Sequence, residues 1–275
     1  MPELPEIETI SRALSQGDNN WPSILGKTIT EVNILWERTL ETPSAEEFNA
    51  RIIGQVINEV GRRAKFLHIH LTSDSLIIHL RMSGDILIEP EDEEIATHHR
   101  LLLIFDDGWR MAFNDTRKFG RVWLVDDPVE VFKRLGPEPL ASEFTSDVLY
   151  QRLVSHRRQL KLLLMDQCFL AGMGNIYTDE ALHLAKLNPL TRSDTISEGQ
   201  AEELWRAIRH VLLEGIHNNG ASIDWVYRGG DFQNYFRVYQ RTGEPCPVCD
   251  TPIIRIVVGQ RGTHLCSTCQ PDPDS

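Results

Sequence analysis

Four cysteines near the end of this 275-residue chain constrain its fold more than any other feature. Cys246 and Cys249 form one C-x-x-C pair, Cys266 and Cys269 form a second, and sixteen residues separate the pairs. Two such turns present four thiolates to one ion, and the spacer has the length of a β-hairpin. The fifth cysteine, Cys168, stands alone in an apolar stretch, where a buried structural thiol is expected. The pairs predict one structural zinc, which has no open coordination position for catalysis.

The rest of the chain has a β-rich part followed by an α-rich part. Residues 5–15 have helical spacing, and short apolar or alternating runs between 28 and 126 predict strands. Residues 147–167 have helical periodicity throughout, and Ser197-x-x-Gln200 is a capping box that begins a further helix. The predicted fold class is therefore α+β, with more than one domain.

The charge of the chain gives conflicting indications about its partner. A net charge of -12 argues against nucleic acid, because phosphate binding depends on basic side chains. Basic residues are nevertheless concentrated at 61–66, 116–121 and 155–161, and the local field matters more than net charge for docking. No apolar run approaches the roughly 18 residues of a membrane span, and the acidic start is unlike a secretory signal. We therefore expect a cytoplasmic protein without a membrane anchor.

The first residues, MPELPEIETI, contain a candidate nucleophile. Once Met1 is removed, Pro2 has a free secondary amine, which can attack an aldehyde carbon and form an iminium ion. That cation acidifies the neighbouring C–H and permits elimination, and Glu3 beside it can transfer protons. The residues alone leave a second interpretation open, because proline and glutamate are also favourable in the first turn of a helix.

Several longer motifs occur in an order that is characteristic of one enzyme family. They are PELPEIET at the start, RRAKF at 62–66, HLRMSG at 79–84, DTRKFG at 115–120, LGPEPL at 135–140, DQCFLAGMGNIYTDEAL at 166–182 and the paired cysteines. Together they resemble the formamidopyrimidine-DNA glycosylase family over nearly the whole chain. The PELPE start, rather than the PEGPE start of the related endonuclease VIII branch, favours the enzymes that act on oxidised purines.

The resemblance implies a multidomain α+β architecture with DNA bound in a cleft between the halves. The N-terminal domain would be a β-sandwich with an N-terminal helix, and a helix-two-turns-helix domain and a zinc-finger β-hairpin would follow. The expected boundaries are 1–134 for the catalytic β-sandwich, 135–144 for a linker, 145–240 for the helical domain with a lesion-covering loop at 218–236, and 241–275 for the finger.

The resemblance also implies a bifunctional glycosylase and abasic-site lyase of base excision repair. Pro2 would attack C1′ of the damaged nucleotide, release the base and hold the sugar as a Schiff base. Glu3 would protonate the opening sugar, Glu6 would brace the first helix, and β,δ-elimination would cut the strand. The expected partner is double-stranded DNA that contains 8-oxoguanine or a formamidopyrimidine. We expect a monomer in the bacterial cytosol or nucleoid, with no catalytic metal and no organic cofactor.

Three further residues match family residues that contact the DNA backbone. Lys65 matches a lysine that touches phosphate and transfers protons, and Asn175 matches the asparagine that binds the lesion phosphate. Arg261, at the tip of the finger hairpin, matches an arginine assigned to δ-elimination. Each also has an ordinary interpretation when considered alone: a solvated strand lysine, a turn residue between helices, and a solvated arginine.

Met82, Arg117 and Phe119 match three residues that enter the duplex when the damaged base is flipped out. An apolar wedge unstacks the bases, and a planar cation pairs with the base left behind. Without the resemblance, Met82 and Phe119 would be assigned to the core. The family usually has a proline where this chain has Thr116, which leaves the rigidity of that loop open.

The remaining matches to DNA-binding positions are less direct. His98 aligns with a DNA-contacting histidine, although His99 is its neighbour. Arg157 or His156 takes the place of a DNA-contacting lysine in SHRRQLK, and Lys161 matches such a lysine better.

Two alternative functions remain open at this point. An endonuclease VIII-like enzyme would remove oxidised pyrimidines instead of purines. A non-catalytic zinc-ribbon protein would bind DNA without the reaction, although intact Pro2, Glu3 and Lys65 argue against it.

Overall fold

The computed structural model describes residues 1–222 and 229–273, and the chain divides into two compact units. Unit 1 comprises residues 1–133 and 222–229, and unit 2 comprises 134–221 and 230–275. The division after Lys133 lies next to the proline- and glycine-containing stretch 135–144.

Unit 1 is a two-sheet sandwich with helices at its start, middle and end. Its helices are α1 (Leu4–Gln16), α2 (Ala45–Ile52) and α3 (Val129–Phe132). Its strands are β1 (Ile29–Ile34), β2 (Leu40–Thr42), β3 (Ile57–Arg63), β4 (Phe66–Leu71), β5 (Ser75–His79), β6 (Gly84–Pro90), β7 (His99–Phe105), β8 (Trp109–Asp115) and β9 (Arg121–Val125). One sheet has the order β1-β7-β8-β6, and the other has the order β2-β9-β5-β4-β3. All neighbours are antiparallel except β2 and β9.

The core of unit 1 joins α1 to both sheets. Ile7, Ile10 and Leu14 lie on one face of α1, and all three are buried in the same cluster as the inward residues of the strands. Full burial of one such side chain contributes about 1.5–3 kcal/mol. Helix α1, predicted at 5–15, is therefore attached to the hydrophobic core of this unit.

Unit 2 contains four α-helices and one hairpin within the described residues. They are α4 (Ser146–Val154), α5 (Leu160–Leu164), α6 (Asn175–Leu184), α7 (Glu198–His217), β10 (Ile254–Val258) and β11 (Arg261–Leu265). Strands β10 and β11 pair with each other in an antiparallel ladder. The predicted capping box of α7 is confirmed, because Gln200 N donates to Ser197 Oγ and Ser197 N donates to Gln200 Oε1.

The stretch 147–167 has helical periodicity throughout, but it forms two helices, since α4 ends at Val154 and α5 begins at Leu160. Residues 155–159 lie between these helices, and here the backbone groups of Arg158 and Leu160 bond to another segment. Ser193 N donates to Arg158 O at 2.8 Å, and Leu160 N donates to Thr191 O at 2.9 Å. These tertiary hydrogen bonds override the local helical preference of the sequence.

The prediction that Cys168 is buried is also wrong. Its side chain is exposed, in the turn between α5 and α6. Asp166 organises this turn, since its carboxylate accepts from Cys168 N at 3.0 Å and so ends the helical periodicity on which the prediction rested.

Among the described residues, no helix combines the length and apolarity needed to cross a bilayer.

Candidate functional site

The start of α1 holds Pro2 and Glu3 in a buried position. Pro2 is buried, Glu3 is 3 % exposed, and Met1 before them is 43 % exposed. Glu3 is the N-cap residue of α1, and its N–H donates to Glu6 Oε2 at 2.8 Å. Carboxylates are favoured here, because the first N–H groups of a helix carry partial positive charge. This bond fixes the backbone between Pro2 and the helix, so Glu6 braces the segment as expected.

Lys65 lies in the tight turn between β3 and β4. The turn requires a left-handed residue, Ala64, with φ of 54°, and Lys65 is only 4 % exposed. A solvated strand lysine, the alternative left open by the sequence, does not fit this burial. Burial, together with the charges of Arg81 and Lys65, lowers the pKa of nearby His79 to about 3. The ring is therefore neutral, and its Nδ1 accepts from Arg81 N at 3.0 Å.

A buried carboxylate organises the loop that follows β8. Asp115 is 1 % exposed; its Oδ2 accepts from Gly120 N at 2.7 Å, and its Oδ1 accepts from Arg117 N at 3.2 Å. Ser83 Oγ bonds to the same carboxylate. A Cβ at position 120 would lie 2.2 Å from the Phe113 ring, so only glycine fits there. These contacts restrain the loop although Thr116 replaces the proline of the family.

Met82 and Phe119 project from the surface of unit 1. Their exposures are 44 % and 46 %, which do not fit the core interpretation that either residue has when considered alone. The Arg117 guanidinium lies 4.8 Å from the centre of the Phe119 ring, and its backbone N–H is held by Asp115. An exposed wedge, Phe119, and a planar cation, Arg117, therefore come from one restrained loop.

The two neighbouring histidines have different environments. His98 is exposed, with its Nδ1 3.4 Å from the Arg100 guanidinium. His99 is 2 % exposed within β7 and lies 3.7 Å from Glu89. Burial lowers the pKa of His99 most strongly, so a charged form of this residue is disfavoured. Of the pair, His98 is the one that a surface ligand can reach.

The structure corrects the expectation that Lys161 contacts DNA. Its side chain is 0 % exposed, and its ammonium bonds to Asp179 Oδ1 at 2.5 Å and to Asn175 O at 3.2 Å. The second Asp179 oxygen accepts from His264 N at 2.9 Å. Lys161 is therefore a structural partner of a buried carboxylate that joins α5, α6 and β11.

Asn175 and Arg261 are brought together within unit 2. Asn175 is the first residue of α6, and its Nδ2 donates to Gly262 O at 3.0 Å. Arg261, the residue before Gly262, is exposed at the start of β11, just after the left-handed residue Gln260. A helix N-terminus, an amide and an arginine at one place are suited to binding a phosphate.

Arg157 lies at the surface, with its side chain 76 % exposed. Its Nε is 3.9 Å from Asp194, whose carboxylate already makes a 3.0 Å bond to Arg192. His156 is also exposed, but its Nδ1 lies 2.8 Å from Arg152 O and caps the end of α4. Of these two candidates, Arg157 has the more available side chain.

The four paired cysteines form one cluster with the geometry of a zinc site. Their sulfur atoms all lie within 4.8 Å of one another, with separations of 3.4 Å for Cys249–Cys266 and 3.8 Å for Cys246–Cys269. A tetrahedral zinc about 2.3 Å from each sulfur requires separations of about 3.8 Å. The residues fit the ion, and the finger binds a structural zinc.

The sequence analysis did not identify two buried acids of α6, Asp179 and Glu180, which hold β11 and the segment 237–239. Glu180 is fully buried, and its carboxylate accepts from the N–H groups of Arg237, Val238 and Tyr239 at 2.8–3.0 Å. Burial raises its pKa, and these hydrogen bonds lower it in part. The signal was the Asp179-Glu180 pair within the otherwise apolar run NIYTDEAL, since acids inside a buried helix need partners.

Three family models match successive parts of the chain. They describe a formamidopyrimidine-DNA glycosylase N-terminal domain at 1–122, a formamidopyrimidine-DNA glycosylase H2TH domain at 135–226, and a zinc finger found in FPG and IleRS at 243–271. The formamidopyrimidine-DNA glycosylase of Chloroflexus aurantiacus is 48 % identical, with 98 % of each chain covered. The chain belongs to the formamidopyrimidine-DNA glycosylase family.

Other members of the family agree over the same length. The formamidopyrimidine-DNA glycosylase of Herpetosiphon aurantiacus is 42 % identical, with 98 % of this chain and 100 % of the relative covered. A solved structure of MutM in complex with DNA containing carbocyclic 8-oxo-G has a TM-score of 0.91 at 33 % identity, and covers 98 % of this chain and 100 % of its own. Lactococcus lactis Fpg bound to abasic-site DNA has the same TM-score and coverage at 32 % identity. The predicted family and fold class are confirmed.

The lesion-covering loop expected at 218–236 is only partly described, since residues 223–228 lie outside the described residues. Its two ends are joined within unit 2. Asp231 N donates to Asn218 O at 2.9 Å, and Phe232 N donates to Gly220 O at 2.9 Å. The Phe232 ring stacks on fully buried Tyr177 at 5.1 Å, so the base of the loop is anchored on α6.

Removal of the metal should uncouple the finger from DNA binding. We expect about one zinc per chain, and Cys249→Ser should lower that content and abolish DNA binding because the hairpin that carries Arg261 loses its support. The strands of unit 1 should persist in circular dichroism. Cys168→Ser is the matched control and should retain its zinc, because this thiol lies outside the cluster. Wild-type protein purified under reducing conditions without zinc would contradict the assignment.

Phe119→Ala should impair processing of damaged DNA with little effect on folding. The ring is about half exposed, so its loss should change the free energy of unfolding by only about 0.5 kcal/mol. Phe113→Ala is the matched control, because that ring is 1 % exposed and its loss should cost about 3–5 kcal/mol. Denaturant unfolding and single-turnover excision measure the two effects. Equal destabilisation by both substitutions would indicate that Phe119 is a core residue.

Proposed function

We propose that the protein removes oxidised purines, namely 8-oxoguanine and formamidopyrimidines, from double-stranded DNA and then cleaves the strand at the abasic site. The observation that carries this proposal is the buried start of α1, where Glu6 holds Glu3 directly after Pro2. Solved relatives support the substrate class, since they include MutM with 8-oxo-G DNA and Lactococcus lactis Fpg with Fapy-dG DNA. We infer that the protein acts as a monomer in the bacterial cytosol.

The covalent step requires that Met1 be removed, so that Pro2 has a secondary amine. Its lone pair attacks C1′ of the damaged nucleotide, the bond between C1′ and the base breaks with its electrons going to the base, and the proton lost from the nitrogen neutralises the departing base. Glu3 protonates the ring oxygen as the sugar opens, which yields the iminium form of the Schiff base. Burial of Pro2 and Glu3 favours this chemistry, because a partly desolvated site strengthens the effect of each charge.

Strand cleavage follows from the iminium ion. The cation withdraws electrons, so a proton leaves C2′ and the 3′ phosphate is expelled by β-elimination. A second elimination expels the 5′ phosphate. We assign proton transfer to Lys65 and the second elimination to Arg261, with Asn175 holding the lesion phosphate beside Arg261. Lys161 has no direct role in this scheme, because its ammonium is paired with Asp179.

Base flipping is assigned to Met82, Arg117 and Phe119. The two apolar side chains are exposed without DNA and can be buried between bases, which repays part of the unstacking cost of a few kcal/mol. Arg117 has a planar group suited to the base left unpaired. His98 and Arg157 are assigned to the DNA backbone on either side of the flipped base, since both side chains are exposed.

The net charge of -12 is compatible with DNA binding because the binding depends on the local field of the cations that contact DNA and not on the net charge. Many arginines are paired with acids elsewhere, such as Arg110 with Glu89 at 2.7 Å and Arg241 with Glu244 at 2.8 Å. Within 1–222 and 229–273, neither Arg117 nor Arg261 forms an ion pair. Distant acids are screened beyond about 10 Å at 0.1 M salt.

Glu3→Gln should separate base removal from strand cleavage. A glutamine cannot protonate the opening sugar, so excision of 8-oxoguanine should fall by about 100-fold or more. Cleavage of a preformed abasic site should remain within about tenfold of wild type, because there the base has already gone. Both reactions can be followed by gel electrophoresis of end-labelled duplexes.

Glu8→Gln is the control for this experiment, because Glu8 lies on the same helix and pairs with Arg12 and Arg62. It should leave both reactions unchanged. Unimpaired excision by Glu3→Gln would contradict the proposed role. Comparison with a duplex that contains an oxidised pyrimidine tests the endonuclease VIII-like alternative, which predicts faster cleavage of that substrate.

A further inference from the structure

One face of α6 contacts the finger at three successive turns. Asn175, Asp179 and His183 follow one another at a spacing of four residues, so their side chains lie in one row on the helix. The first two side chains bond to backbone groups of β11. His183, in the last turn of α6, extends the row to the cysteine cluster, because its Nε2 lies 3.4 Å from Cys246 Sγ.

The contact between His183 and Cys246 is enclosed by protein. Both residues are buried, so water has little access to the sulfur. Val248 N also donates to Cys246 Sγ at 3.5 Å, but this bond lies within the first C-x-x-C turn. His183 comes from outside the finger, and its other ring nitrogen, Nδ1, has no hydrogen-bond partner in the part of the chain that the structure describes. The polar contact of the ring is therefore with the sulfur.

The direction of this hydrogen bond follows from the state of the sulfur. A cysteine that binds zinc is a thiolate, which has no proton and can only accept. Nε2 of His183 therefore carries a hydrogen and donates it to Cys246 Sγ. The other neutral tautomer would place the Nε2 lone pair against the thiolate and would bury an Nδ1–H group without an acceptor. Donation to a charged sulfur is also stronger than donation to a neutral one.

We propose that His183 is a positioning residue of the zinc site, which donates from Nε2 to the Cys246 thiolate and holds this sulfur in place for the ion. His183 is not itself a ligand in this scheme, because four thiolates fill a tetrahedral site. Hydrogen bonds of this kind orient a metal ligand and tune its charge. They also attach the metal centre to α6. The inference concerns the retention of zinc, and it does not depend on the proposed reaction.

The first experiment measures the zinc affinity of the full-length protein by competition with a chromophoric chelator. His183→Phe keeps a ring of similar size and removes the donor, so it should weaken zinc binding by about tenfold or more. His183→Gln places an amide N–H where Nε2 lies, and it should recover most of the affinity. His68→Phe is the matched control, because His68 is also buried but belongs to unit 1, where its Nε2 lies 3.0 Å from Ser75 Oγ. This variant should bind zinc as the wild type does.

Substitution of cobalt(II) for zinc supplies a signal that packing alone does not change. A hydrogen bond stabilises the lone pairs of a thiolate, so charge transfer from sulfur to cobalt requires more energy when the bond is present. His183→Phe should therefore shift this absorption band to longer wavelength. His183→Gln and His68→Phe should keep the band close to its wild-type position.

Wild-type zinc affinity together with an unshifted cobalt band in His183→Phe would overturn the inference. So would an equal loss of affinity in His183→Phe and His183→Gln without a shift of the band, because that pattern indicates disturbed packing of α6 and not a lost hydrogen bond. Base excision is not the measured quantity, so a failure of the proposed function would leave both results interpretable.

Discussion

Buried carboxylates that accept backbone N–H groups hold the functional segments of both units. A carboxylate in this position has a cost in desolvation, and the N–H donors offset that cost while fixing the segment that carries them. The acids and the backbone groups that they bind are Glu6 with Glu3, Asp115 with Arg117 and Gly120, Asp179 with His264, and Glu180 with Arg237, Val238 and Tyr239. Loss of one such group would cost about 3–5 kcal/mol where its partner is a buried charge.

This arrangement separates the acids that build the fold from the cations that face a ligand. Asp115 is inside the protein, whereas Arg117, positioned by it, is at the surface. Asp179 is likewise inside, and the hairpin that it holds presents Arg261. A strongly acidic chain can therefore bind DNA through a small number of unpaired arginines.

The sequence predicted those parts of the molecule whose signals are local. The cysteine spacing is sufficient for the zinc site, because ligand geometry imposes the spacing directly. The first helix was predictable for a similar reason, since Ile7, Ile10 and Leu14 have the period of one helix face. With the family motifs, the architecture of the whole chain could be predicted as well.

The errors all concern residues whose environment is set by distant segments. Lys161 was expected to contact DNA because it matches a DNA-contacting lysine of the family, but its partner, Asp179, is on another helix. The interruption after α4 depends on hydrogen bonds to residues 191–193, and the exposure of Cys168 depends on the turn organised by Asp166. Local periodicity does not contain such long-range information.

The central claim is that the nitrogen of Pro2 forms the covalent bond, and borohydride trapping followed by mass spectrometry of the adduct tests it most directly. Protein with Met1 removed is compared with protein that keeps one added N-terminal residue, which converts the amine into an unreactive amide. The account predicts a trapped complex only for the processed protein, with the reduced sugar on the peptide that begins at Pro2. A trapped complex of the blocked protein, with the sugar on Lys65, would contradict it.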